Sequence, residues 1–305
     1  MSSHSVQFNA PDYYVVDDLF TDEQKIVRNA VRDWVNRSVK PSIEEYFEKA
    51  EFPRHFVKEL GEIGAFGPFI PSEYGGSDLD YMSYGLIMQE LERGDSGVRS
   101  MASVQTSLVM FPIYIFGSEE QKRKYLPRLA SGEIIGCFGL TEPNHGSDPG
   151  GMLSKIEDKG DYYLLNGSKM WITNSTIADI AIVWARDEQD IIRGVIVERG
   201  MEGFSTPTTH GKWSLRASAT GELVFDNVKV PKENILPNVQ GLKGPLGCLT
   251  KARYGIAWGA LGAAMDCYDT ALRYAKEREQ FGKPIAGFQL QQKKLAEMIT
   301  EITKG

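Results

Sequence analysis

The sequence predicts an α+β fold in which two helical regions flank a β region. Apolar residues repeat at helical spacing up to about residue 130, and short β-branched and aromatic runs separated by turns follow from about 134 to 237. Helical spacing returns from about residue 244. We therefore expect an N-terminal all-α domain at 1–132, a middle antiparallel β barrel or sandwich at 133–240, and the start of a C-terminal helical domain, incomplete here, at 241–305.

Two capping boxes mark helix starts in the N-terminal domain. Thr21 is followed by Gln24, and Ser118 by Gln121, the spacing at which each side chain can satisfy the other's backbone N–H. Further helices are expected at about 54–66, 81–93 and 98–116.

The middle region carries one strong turn signal, Asn166 followed by Gly167. This pair predicts a tight hairpin between strands at 162–165 and 169–173. In the C-terminal region, small residues such as Ala252 and Ala260 suit close helix packing, and Gly and Pro near 282–284 predict a break before a last helix at about 288–303.

Composition and charge restrict the partners that can be expected. The formal net charge of −7 gives no reason to expect nucleic acid binding. No apolar stretch is long enough to predict stable membrane insertion. The N-terminus reads as neither a secretory signal nor a transit peptide, which favours the cytoplasm, or the mitochondrial matrix for a processed eukaryotic protein.

The cysteines and histidines predict no metal site. Cys137, Cys248 and Cys267 are expected to be buried, reduced thiols. They share no ligand spacing with the histidines, which are His4, His55, His145 and His210.

Two segments are expected to carry the chemistry. The run CFGLTEPNHGSD at 137–148 ends in small, hydroxylic and amide residues, whose backbone N–H and hydroxyl groups can face a planar, partly anionic ligand. The run KMWITN at 169–174 adds an indole and a hydroxyl, which can stack on a ring and reach its edge. Together they predict a flavin site, while a polar turn and a core indole are the plain structural alternatives.

Longer motifs resemble those of the acyl-CoA dehydrogenase family. They are the two runs above, REQFGKP at 278–284 with Gln289, DSGVRSM at 95–101 and ARYGIAWG at 252–259; the last two are most similar to the glutaryl-CoA dehydrogenases of that family. The resemblance covers nearly the whole chain. It implies that FAD takes a hydride from glutaryl-CoA or a similar acyl-CoA while the α carbon loses a proton, and that electrons pass to an electron-transfer flavoprotein. It also implies that glutaconyl-CoA is decarboxylated to crotonyl-CoA, as in lysine and tryptophan degradation.

The resemblance implies cofactor contacts for Phe138, Leu140, Thr141, Gly146, Ser147, Trp171, Ile172, Thr173, Arg278 and Gln289. Thr141 would meet the polar edge of the flavin, Trp171 would pack beside the ring, and the Thr173 hydroxyl would lie near N5. Arg278 and Gln289 would reach the FAD of a neighbouring subunit, which implies a homo-oligomer, usually a tetramer in this family.

The resemblance implies substrate contacts for Glu92, Arg99, Ser100, Ser147, Leu246 and Arg253. Arg99 and Ser100 would lie at the distal end of the acyl pocket, where a guanidinium suits the free carboxylate of a glutaryl group. Glu92 precedes Arg99 by about two helical turns, so it either orients that arginine or is a surface charge. Arg253 would lie near the polar part of the acyl-CoA channel, or form a salt bridge on a packed helix.

No catalytic base is identified within the chain. The family's α-proton base is a glutamate, which the resemblance places beyond Gly305. We therefore expect the chain to be part of a longer enzyme, the alternative being a truncated reading frame. Other functions stay open: an acyl-CoA dehydrogenase for another short-chain substrate, an acyl-CoA oxidase, and a non-catalytic module that binds FAD or acyl-CoA.

Overall fold

The computed structural model describes Asp12 and residues 14–305. Its N-terminal helices are α1 (Asp22–Trp34), α2 (Ile43–Lys49), α3 (His55–Glu62), α4 (Tyr81–Gly94), α5 (Ser96–Ser103), α6 (Phe111–Phe116) and α7 (Glu119–Ala130). Both capping boxes are confirmed, since Thr21 and Ser118 each accept from the N–H of the predicted glutamine at the starts of α1 and α7. A π-helical segment, Val104–Met110, joins α5 to α6 within the helix predicted at 98–116.

The middle region forms one curled sheet, so the α+β fold class is confirmed. Its strands are β1 (Gly136–Gly139), β2 (Lys155–Asp158), β3 (Tyr162–Thr173), β4 (Ile180–Arg186), β5 (Ile192–Glu198), β6 (Phe204–Ser205) and β7 (Thr220–Pro231). They lie in the order β1-β4-β2-β3-β7-β6, and β5 also pairs with β4. The pairing is mainly antiparallel, but β1 lies parallel to β4, with Phe138 opposite Ile182. β4 is buried almost throughout because both of its faces are covered.

The predicted hairpin at Asn166 and Gly167 is wrong, because β3 continues through both residues. Its pairing with β7 shifts register between Leu165 and Gly167, which is a β-bulge. Gly167 has a φ of 140°, and a β carbon there would lie 2.4 Å from Ser154 Oγ. Gly167 therefore permits a local kink in β3 and a close approach of β3 to Ser154. The chain does not reverse at this point.

The C-terminal region consists of a long helix, α8 (Lys243–Glu277), a short hairpin of β8 (Glu279–Gln280) and β9 (Lys283–Pro284), and a last helix, α9 (Gln289–Lys304). α8 packs closely where it crosses α4, but glycines make the contact; of the alanines named in the sequence analysis, Ala252 is buried and Ala260 is exposed. A β carbon on Gly262 would lie 1.9 Å from the Gln89 carbonyl oxygen, and Gly85 leaves room for the ring of Trp258. Through this contact α8 is held against the N-terminal helices.

The three cysteines differ in burial. Cys137 and Cys248 are free and buried as expected, but Cys267 is exposed on α8, so that prediction is wrong for one thiol of the three. Within Asp12 and residues 14–305, no helix combines the length and the apolar character needed to cross a membrane.

Candidate active site

A cavity of about 330 Å³ lies where β1, β3 and the start of α8 meet the π-helical segment Val104–Met110. Its walls are formed by Val104, Leu108, Phe138, Leu140, Thr141, Gly146, Ser147, Pro149, Trp171, Ile172, Thr173, Leu246, Leu249 and Arg253. The structure therefore brings together the two motifs singled out in the sequence and the part of α8 that the resemblance assigns to substrate.

A larger groove of about 680 Å³ lies between α8 and α9, but it does not have the character of a catalytic site. Its lining is mostly aliphatic around Cys267, with Lys294, Glu297 and Glu301 along it. The smaller cavity instead combines hydroxyls, aromatic rings and a cation with an apolar floor, the arrangement typical of a small-molecule site.

Phe138 and Leu140 are held in the cavity wall because β1 is fixed at its start. The side chain of Gln105 donates to the carbonyl of Ile134 at 2.9 Å and accepts from the Gly136 N–H at 2.8 Å. Gln105 is completely buried, so these bonds tie β1 to the π-helical segment. This role was not predicted from the sequence.

Asn174 fixes the other wall, just after Thr173. It has a φ of 70°, a left-handed conformation that asparagine tolerates better than most residues. Its side-chain amide donates to the Gly136 carbonyl at 3.2 Å, and its backbone N–H donates to the Ala219 carbonyl at 2.6 Å. The end of β3 is thereby attached to β1, which sets Thr173 relative to Phe138.

Trp171 reaches the cavity through a strained backbone. Its φ is 60°, which is unusual for a bulky side chain, and it lies where the pairing of β3 with β7 shifts between Lys169 and Ile172. The indole is 59% exposed. In a regular strand the Trp171 side chain would be buried or paired across the sheet. The distortion instead exposes the indole, so it can stack on a ligand in the cavity.

The polar groups of the cavity favour an anionic, planar ligand. Thr141, Ser147 and Thr173 supply hydroxyls, and Arg253 supplies a cation. Among the lining residues that the structure describes there is no carboxylate. A ring with a hydrogen-bonding edge and attached phosphates fits this donor set, whereas no side chain present there could act as a carboxylate base.

Glu92 and Arg99 lie outside the cavity lining and form an ion pair with each other. Their side chains are 9% and 12% exposed, so Glu92 is not a surface charge. They bracket the junction of α4 and α5, where Asp95 caps α5 by accepting from the Gly97 N–H at 2.7 Å. Of the two interpretations of Glu92, the contact with Arg99 agrees with the one in which it orients the arginine.

Other predicted site residues are not brought to the cavity. Ser100 lies on α5 beside Arg99 and is half-buried, while Arg278 and Gln289 are exposed near the β8–β9 hairpin and the start of α9. Their roles stay predictions. In the part of the chain that the structure describes, no group of His, Cys, Asp and Glu could hold a metal ion, and His4 lies outside that part.

The chain belongs to the acyl-CoA dehydrogenase family. The family's N-terminal, middle and C-terminal domains match residues 21–133, 137–228 and 240–305. The resemblance seen in the sequence motifs is therefore confirmed at the level of the family.

Relatives of this chain include several family members. The glutaryl-CoA dehydrogenase of Desulfococcus multivorans is 41% identical over 289 residues, which are 92% of this chain and 74% of the relative. A probable acyl-CoA dehydrogenase of Bacillus subtilis, YngJ, is 42% identical over 290 residues, 92% of this chain and 76% of the relative. A crystal structure of a glutaryl-CoA dehydrogenase from Mycobacterium smegmatis in complex with FADH2 matches with a TM-score of 0.93 and 48% identity, covering 95% of this chain and 75% of that one.

Proposed function

We propose that this chain binds FAD and a short dicarboxylic acyl-CoA, glutaryl-CoA, and takes part in the oxidation of that thioester. The observation that carries the proposal is the cavity, in which the residues of both motifs converge with Arg253. Support for the cofactor comes from the FADH2 in the glutaryl-CoA dehydrogenase structure described above. When bound, FAD accepts the hydride from the β carbon of the thioester.

The chain's own residues orient the cofactor and the substrate. The hydroxyls of Thr141 and Thr173 donate to the polar edge of the ring, and Trp171 covers one side of it. Ser147 donates to a phosphate oxygen or to the acyl-CoA. Arg253 attracts the phosphates of either ligand, and Leu246 and Leu249 exclude water from the acyl chain.

Arg99 sets the substrate class in this proposal. Gly259 of α8 packs against the Glu92–Arg99 pair, and it lies about 9 Å along the helix axis from Arg253, which lines the cavity. In this proposal, the far end of a short acyl chain in the cavity extends along α8 to Arg99. A guanidinium there binds a terminal carboxylate by charge-assisted hydrogen bonds, and Ser100 adds a hydroxyl. A monocarboxylic acyl chain gains nothing from that arginine.

Anaerobic mixing of glutaryl-CoA with the purified full-length protein tests the proposal. We expect the flavin absorbance to bleach as the cofactor is reduced. Arg99→Ala should lose glutaryl-CoA turnover far more than butyryl-CoA turnover. Arg123→Ala removes the same charge from an exposed ion pair with Glu119 and should change neither. Equal losses on both substrates in Arg99→Ala would remove the glutaryl assignment and leave a dehydrogenase for another short-chain substrate.

A second candidate function is a non-catalytic module for FAD or acyl-CoA. The absence of a carboxylate among the described cavity residues favours it. Bound FAD that glutaryl-CoA does not bleach would support this alternative, and rapid reaction of the reduced protein with O2 would support an acyl-CoA oxidase.

The remaining expectations follow from the same proposal. Glutaconyl-CoA would lose CO2 to give crotonyl-CoA, and electrons would pass to an electron-transfer flavoprotein, in the cytoplasm or in the matrix of mitochondria. Arg278 and Gln289 are exposed, as residues must be if they reach the FAD of a neighbouring subunit. Sedimentation of Arg278→Ala and measurement of its FAD content would test whether a dimer or tetramer depends on this contact.

A further inference from the structure

Glu142 and Lys169 form an ion pair that joins the two motifs behind the cavity. Lys169 Nζ lies 2.9 Å from Glu142 Oε1, and the side chains are 0% and 4% exposed for Lys169 and Glu142. Lys169 also donates to the carbonyl of Leu140 at 3.2 Å. Neither charged side chain lines the cavity. Both lie behind residues that do.

Glu142 also holds the far end of the loop that follows β1. Its carboxylate accepts from the N–H of Leu153 at 2.6 Å and from the N–H of Ser154 at 2.9 Å. The Met170 N–H donates to the Thr141 carbonyl at 2.9 Å, next to the ion pair. The carboxylate of Glu142, at the beginning of the loop, therefore holds the end of the loop at Leu153 and Ser154. Lys169 connects the same carboxylate to β3.

The cavity residues lie next to these attachment points. Thr141, Gly146 and Ser147 belong to the fastened loop, and residues 171–173 follow Lys169 directly on β3. A displacement of the pair would thus shift these two cavity-lining segments relative to each other.

Gly139 of β1 gives Lys169 room to reach this position. A β carbon on Gly139 would lie 3.2 Å from Lys169 Cγ and 2.8 Å from Leu223 Cδ1. A larger residue at this position would crowd the lysine stem and would require Leu223 to move. A gain in stability alone does not explain why Glu142 and Lys169 are buried together, because a buried ion pair is often no more stabilising than apolar side chains of the same volume.

We propose that Glu142 and Lys169 are positioning residues for the cofactor site. The pair holds the hydroxyl-bearing loop at a set distance from the wall formed by residues 171–173, and FAD affinity depends on that distance although neither side chain touches FAD. This inference rests on the proposed function, since it takes FAD as the ligand of the cavity.

The test compares FAD affinity with folding stability in the purified protein. Glu142→Gln and Lys169→Met each break the pair. The control is Glu90→Gln, at a buried glutamate of α4 that pairs with Arg32 of α1 and with Arg93, away from the cavity. All three should lower Tm because each removes one member of a buried ion pair. Only the first two should raise the FAD dissociation constant, by about tenfold or more, since small displacements of binding groups are costly. Equal weakening of FAD binding in Glu90→Gln would overturn the inference.

Two further variants separate positioning from stability. The double variant Glu142→Gln, Lys169→Met has no buried charge at this site, so its Tm should recover while FAD binding stays weak. Glu142→Asp keeps the charge but is too short to reach both Lys169 and the two N–H groups, so it should fold and still bind FAD weakly. Wild-type FAD affinity in either variant would contradict the inference. A folded wild-type protein that binds no FAD would instead contradict the proposed function.

Discussion

Glu92 accepts a hydrogen bond from Arg99 across the junction of α4 and α5, and Gly259 of α8 packs against both side chains. A β carbon on Gly259 would lie 2.9 Å from Glu92 Oε2 and 3.4 Å from Arg99 Nε. The pair is therefore enclosed by α4, α5 and α8. Its geometry depends on position 259 having no side chain. This relationship allows the role of Arg99 to be tested without removing the arginine.

Gly259→Ala should alter substrate preference with little loss of stability. The new methyl group meets the end of the flexible Glu92 side chain, which can move, but the guanidinium of Arg99 must then move with it. We expect glutaryl-CoA turnover to fall while butyryl-CoA turnover and Tm change little. Gly247→Ala on the same helix meets no atom within 4 Å and serves as the control. Equal losses on the two substrates would show that the enclosed pair does not select a dicarboxylic substrate.

Glu92→Gln should strengthen binding of the dicarboxylic thioester. Removal of the carboxylate leaves the Arg99 donors free for the terminal carboxylate of the substrate, and a hydrogen bond to a charged group corresponds to about tenfold in affinity. The dissociation constant of glutaryl-CoA should fall by up to that factor, and that of butyryl-CoA should not change. CO2 release should slow, because the substrate carboxylate is held more firmly. Weaker binding of glutaryl-CoA in this variant would mean that the loss of Arg99 orientation outweighs the gain from its freed donors.

The Glu142 carboxylate predicts a specific acid sensitivity. Burial alone would raise the pKa of Glu142, but the N–H groups of Leu153 and Ser154, together with Lys169, lower it to about 2 from an ordinary value of 4.5. Because the folded pKa lies below the unfolded one, the stabilisation is complete above about pH 4.5 and is lost as the pH falls towards 2. In denaturant titrations, the difference in unfolding free energy between wild type and Glu142→Gln should shrink over that window. Glu133→Gln, at an exposed carboxylate, provides the control. A difference independent of pH would contradict the assignment.

The cysteines should differ in reactivity. Burial raises the pKa of Cys137 and of Cys248 to about 12, so both thiols stay protonated and inaccessible in the folded protein. Cys267 is exposed. A thiol reagent should therefore modify one group in the native protein and all three in denaturant, and Cys267→Ser should abolish the native reaction. Fast modification of a second thiol in the native state would mean that one of the buried sites opens.

Local patterns allowed much of the fold to be predicted. The capping boxes at Thr21 and Ser118 were read correctly because each depends only on residues three positions apart. Asn166 and Gly167 were misread as a hairpin because the reason for Gly167 is a distant residue, Ser154, which local sequence does not reveal. The parallel pairing of β1 with β4 is non-local in the same way.

In the candidate site, too, residues within a motif could be predicted, whereas contacts between distant segments could not. The residues of the two motifs could be predicted as a set because their types indicate the chemistry, and the structure brings them to one cavity. The supporting contacts of Gln105, Asn174 and Lys169 could not, since each joins segments far apart in the chain. A buried lysine beside a motif is a usable signal, because lysine is seldom fully buried without a partner.

Titration of the purified, folded protein with FAD tests the central claim most directly. We predict that one FAD binds per chain, that its visible absorbance is perturbed, and that the fluorescence of the exposed Trp171 is quenched as the ring covers it. A folded protein that leaves FAD free in solution, with its tryptophan fluorescence unchanged, would contradict the account.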